Sequence, residues 1–89
     1  MLVASHIKPW SSSSNVERLD PFNGLILTPN LDRAFDRGFI TFDEDGAILV
    51  SPQFVGASAL GVVAGSHIAL QPAHQPFMAH HRAHVYRAA

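Results

Sequence analysis

The sequence predicts an α+β fold: two strands and a short helix, followed by a β-hairpin and a C-terminal helix. Three observations carry that reading. Apolar runs over 2–7 and 25–28 are separated by turn-forming residues that end in Asn23-Gly24. Leu31 and Phe35 stand four apart between Pro29 and Gly38, the spacing of a two-turn helix with a start and a stop. Phe39–Phe42 and Ala47–Val50 flank Asp43-Glu44-Asp45-Gly46, the clearest hairpin signal in the chain.

Taken in order, the first strand begins at Leu2 with almost no lead-in and ends before Pro9, which lacks an amide hydrogen and restricts Lys8. Ser11 to Asn15 reads as a flexible polar loop, with Trp10 as an anchor over its base. Leu19 to Gly24 is dense in turn formers, and Asn-Gly suits positive backbone angles. The first two strands then pair as an antiparallel ribbon joined by a long, loosely ordered connection. Thr28 or Asn30 caps the following helix, Pro29 fits its first turn, and Gly38 stops it. Asp32 and Asp36 lie four apart on a face beside Leu31 and Phe35. The acidic hairpin tip is a solvated turn, too short in ligands for a calcium loop. From Gln53 to Gly65 the chain is small and apolar, with a helical turn or irregular packing expected. Ser66 to Leu70 is a candidate edge strand. Phe77, His81, His84 and Val85 recur at helical spacing in a final helix over about 74–87.

The totals bound the function. A chain of 89 residues is one small domain that buries about 60% of its unfolded surface. With 47% hydrophobic residues it can build a core, and 15% charge is low for a free-standing soluble domain. There is no cysteine, which excludes disulfides and thiolate zinc sites. A metal, a second copy or a further segment is therefore expected to complete the fold. A net charge of -1 gives no bulk basic signal for nucleic acid. No apolar run approaches a membrane span and the first residues lack a signal-peptide pattern, so the expected location is cytoplasmic.

The ordered residues Ala4-Ser5-His6-Ile7-Lys8-Pro9-Trp10, Arg18-Leu19-Asp20-Pro21, Asn23-Gly24-Leu25, Leu31-Asp32 and Phe35-Asp36-Arg37-Gly38 resemble the signature of HNH endonucleases. The closer likeness is to a branch often labelled restriction endonucleases. It is strong over 2–50 and returns at Gln75 to Arg82, which is similar to that branch's terminal helix. The resemblance implies a ββα-metal finger over 2–38, a hairpin over 39–50 and a terminal helix, as the C-terminal portion of a longer nuclease. It implies a metal-dependent DNA endonuclease in which His6 activates water and Asn23 braces the loop carrying that base. Family members often carry more chain before this motif, including a cysteine pair. Asp32 stands where a ligand histidine is common, Asp36 where a second ligand or structural acid stands, and Ser5 where some members place another ligand.

The residue chemistry agrees with what is implied. Phosphodiester cleavage needs an acceptor for the water proton and a cation for the charge developing on phosphate. Histidine is the side chain whose proton exchange falls nearest neutral pH. Asp32 and Asp36 are hard oxygen donors that suit Mg²⁺ or Mn²⁺, with Zn²⁺ or Ni²⁺ as alternatives. Lys8, Arg18, Arg33 and Arg37 are candidates for the DNA backbone. Plainer readings stand beside these: a structural histidine, solvated helix carboxylates, and terminal histidines on a helix surface with His80 and His84 four apart. The rival of another class is a truncated, inactive remnant that binds DNA or a partner without cutting, as a homodimer or completed by an N-terminal segment. A third is a histidine-rich metal binder built on His80, His81 and His84.

Overall fold

The computed structural model describes residues 2–54 and 67–88. Val3–His6 (β1) pairs antiparallel with Gly24–Leu27 (β2), setting Val3 against Leu27, Ser5 against Leu25 and His6 against Gly24. The two-residue strand period divides the ribbon. Ser5, Leu25 and Leu27 are buried, whereas Ala4, His6 and Ile26 face outward.

The connection between β1 and β2 is ordered, contrary to the loose loop expected. Trp10–Ser12 form a 3-10 turn and Asn15–Leu19 a short helix, α1. Ser14 and Glu17 close a capping box at its start, each side chain bonded to the other's backbone amide. The turn into β2 also differs from expectation. Among the described residues only Gly38 (φ 79) and Gly46 (φ 85) have positive φ, so Asn23-Gly24 does not make it. Asp20 does: its Oδ1 accepts from Phe22 N at 2.9 Å and its carbonyl from Asn23 N at 3.0 Å.

Pro29–Asp36 form α2, with Thr28 at the N-cap position but no side-chain cap bond. Gly38 N donates to Phe35 O and Phe39 N to Ala34 O, the two bonds of a Schellman ending. Ile40–Phe42 (β3) and Ile48–Val50 (β4) form the expected hairpin. Its tip is organised by Asp43, whose Oδ1 accepts from the amides of Asp45 and Ala47 at 2.9 Å.

His67 forms an isolated bridge to Ala47, and residues 67–70 carry no edge strand. Of the stretch expected to be irregular over 53–65, all but residues 53 and 54 lies outside the described residues, as does Ser66. Pro72–His74 form a 3-10 turn that leads into Gln75–His80 (α3), and the helix then widens into a π-turn over His81–Val85. Phe77, Met78 and His81 turn inward from it.

The core gathers Ile7, Leu25, Leu27, Phe35, Phe42 and Met78 among others, so ribbon, α2, hairpin and α3 share one apolar cluster. No helix of the described residues is long and apolar enough to cross a membrane.

Candidate active site

His6 closes β1 on its outward face. Because its cross-strand partner is Gly24, no side chain stands over the imidazole from β2. The ring meets Trp10 edge-on, with centroids 5.4 Å apart, and has no hydrogen-bond partner among the described residues. It lines an open pocket of ≈ 230 Å³ shared with Arg18, Asp20 and Gly24. A water or a phosphate can therefore reach it.

The loop behind His6 is tied down by Asn23, which is fully buried. Its Oδ1 accepts from Lys8 N at 2.7 Å, and its amide donates to Glu17 O at 3.2 Å and Ser13 Oγ at 3.4 Å. Its carbonyl accepts from Ile7 N at 3.2 Å. One amide side chain thus joins the residue two beyond the histidine to the middle of α1. Lys8 reinforces the join, its Nζ donating to both Glu17 carboxylate oxygens at 3.0 and 2.9 Å. The Ser14 amide, then the Lys8 ammonium, hold the Glu17 carboxyl below its ordinary pKa.

On α2, Asp32 is half-buried and accepts a hydrogen bond from Ser5 Oγ. Ser5 is buried, whereas its neighbour His6 is exposed. Asp36 is exposed, one turn further along. Among the described residues, no group of three or more His, Cys, Asp or Glu side chains gathers where it could hold a metal ion.

The four cations expected at DNA are divided. Lys8 is committed to Glu17. Arg18 sits at the His6 pocket, its guanidinium 4.7 Å over the Trp10 ring and its Nε donating to Trp10 O at 2.9 Å. Arg33 and Arg37 line a separate recess of ≈ 220 Å³ with Phe39 and Phe54.

Two features of the site escaped the sequence pattern. Ser14 and Glu17 carried a usable signal, since Ser-x-x-Glu is the capping-box spacing. His81 carried none: expected on a helix surface, it is buried at 1% exposure. Its Nε2 donates to Phe35 O and its Nδ1 accepts from Thr41 Oγ1, both at 2.8 Å, and its ring stacks on Phe35 at 3.8 Å. The carbonyl can only accept, which fixes the neutral Nε2–H tautomer.

No curated protein matches the chain. Residues 1–43, which run through β1, β2, α2 and β3, match the family model described as HNH endonuclease. That span contains His6, Asn23, Asp32 and Asp36, so all four lie in the part of the chain that is similar to HNH endonucleases.

Proposed function

We propose that this chain is a metal-dependent endonuclease that hydrolyses DNA phosphodiester bonds, with strand, strand and helix acting as a ββα-metal finger. The observation that carries this reading is His6: an unpaired, exposed imidazole on an open pocket, within a segment that matches HNH endonucleases. His6 takes the proton from the attacking water as general base. Asn23 acts by positioning, since its bonds to Lys8 N and Glu17 O keep the strand end from fraying into the loop. Arg18 supplies positive charge to a phosphate at the same pocket.

HNH nucleases generally use a divalent metal ion, and the donors on this finger suit one kind. A structural zinc site wants four nitrogen or sulfur ligands, which these residues do not supply. Mg²⁺ and Mn²⁺ accept one or two carboxylates and fill their remaining positions with water and substrate phosphate. Asp32 would hold such an ion through the oxygen that Ser5 leaves free, with Asp36 as the second donor. When bound, the ion supplies stabilisation of charge on the phosphate and the leaving oxygen.

The test is plasmid nicking by the purified chain with Mg²⁺ or Mn²⁺. Nicking is expected, and His6→Ala abolishes it while far-UV circular dichroism stays unchanged. Undiminished cleavage by His6→Ala removes the base assignment.

A second reading, a module that binds DNA or a partner without cutting, is favoured by the commitment of Lys8 to Glu17 and by the sparse donor set. Absence of both cleavage and Mg²⁺ or Mn²⁺ binding, with DNA binding retained, selects it.

A further inference from the structure

The C-terminal helix carries metal-competent side chains that the finger does not use. His80 ends α3 and His84 lies in the π-turn that follows, marked by the Tyr86 N to His81 O bond at 2.8 Å. The two ring centroids lie 4.7 Å apart, with the planes at 41°. Neither ring has a hydrogen-bond partner among the described residues, and His84 is exposed. π-turns inside helices recur at functional sites because they re-aim side chains.

The separation has a meaning for coordination. Zinc–imidazole bonds are about 2.0–2.1 Å, and the ring centroid lies roughly 1.1 Å beyond the nitrogen, so metal and centroid are about 3.2 Å apart. Two rings bound at 90 to 109° then have centroids about 4.5 to 5.2 Å apart. The observed spacing falls inside that interval without any movement of the helix.

Neighbouring groups limit the ligand set to these two. His81, between them in sequence, is buried with both nitrogens engaged, so it is no ligand. Glu17 and Lys8 lie within electrostatic reach of His80, but the Glu17 oxygens are taken by Lys8 Nζ and Ser14 N. A bound ion therefore keeps open positions for water or another ligand. Two imidazoles favour Zn²⁺, Ni²⁺ or Cu²⁺ and offer little to Mg²⁺.

We propose that His80 and His84 form a two-imidazole site for a borderline divalent transition-metal ion, separate from the carboxylates on α2. The site stands whether or not the chain cuts DNA, because it shares no residue with the proposed nuclease.

Calorimetric titration of the chelator-stripped full chain with Zn²⁺ alone, then with Ni²⁺ alone, tests it. One equivalent is expected to bind. Outer-sphere partners of a metal ligand are themselves worth about 10- to 100-fold in affinity, so His84→Ala should weaken binding by about tenfold or more. His80→Ala should do the same. His84 is exposed, so its variant keeps the wild-type thermal midpoint and isolates the ligand effect. Full affinity in the His80→Ala/His84→Ala double variant, or no binding to the wild-type chain, overturns the proposal.

Discussion

His81 is one imidazole that touches three elements. It stacks on Phe35 of α2, accepts from Thr41 of β3, and belongs to the π-turn of the terminal helix. Burial first, with smaller contributions from His80 and Arg82, pushes its pKa down to about 4, while the Phe35 carbonyl and Asp36 oppose the shift. In the unfolded chain it titrates at its ordinary value of 6.5. Above that pH both states hold it neutral and the full stability is present. As pH falls from 6.5 toward 4 the unfolded state gains a proton that the folded state refuses, so stability is lost, by about 3 kcal/mol at most. Urea melts at pH 7, 5.5 and 4.5 should show that decline. A His81→Leu variant, less stable at pH 7, should show a shallower one. Equal acid dependence in the two proteins would refute the assignment. The placement of His6 at the end of β1 and of Asn23 behind its loop was legible because a compact, ordered motif surrounds them. His81 was not, because His80, His81 and His84 are chemically alike in one short stretch and only the tertiary packing of α2 and β3 selects which is buried.

At the scale of elements, α2 and the hairpin were readable from their punctuation. Pro29 and Gly38 bound a helix of Pro29–Asp36, and the Asp-rich tip bounds the two strands. The glycines do more than end elements. A Cβ on Gly38 would stand 2.0 Å from the Val85 carbonyl oxygen, and one on Gly46 would stand 2.0 Å from that of Ile68. Both positions also have positive φ, which costs an L-residue about 1 to 3 kcal/mol in strain. Gly38→Ala should therefore destabilise the fold by about 2 kcal/mol or more, read as a lower urea midpoint with an unchanged slope. A neutral result would show that the π-turn can withdraw from α2 without loss. The connection between β1 and β2 was less legible. Its serines suggest mobility by composition, yet Ser13 and Ser14 spend their hydroxyls on the backbone and Glu17 anchors Lys8. Side-chain capping, which composition does not register, turns that polar stretch into structure.

Across the whole molecule, the proposed catalytic segment and the terminal helix share one core. Phe35 and Phe42 pack in the same cluster as Phe77 and Met78, and Arg82 Nη1 donates to Phe42 O at 2.8 Å. Trp10, the single tryptophan, reports on the loop beside His6, while far-UV circular dichroism reports on all helices. The two probes should give coincident urea transitions, as a cooperative two-state unit requires. An earlier fluorescence transition would show the loop opening on its own. Such long-range sharing is what the linear pattern could not convey, since it joins residues some forty positions apart. The returning segment meets Gly38, at the end of α2, and Gly46, at the hairpin tip, through main chain: Ile68 N donates to Gly46 O, and Arg87 N to Gly38 O, each at 2.9 Å. Main-chain recognition is blind to side-chain identity. At these two contacts the closure is therefore specified by the glycines, whereas Phe77, Met78, His81 and Arg82 specify the rest of it through their side chains.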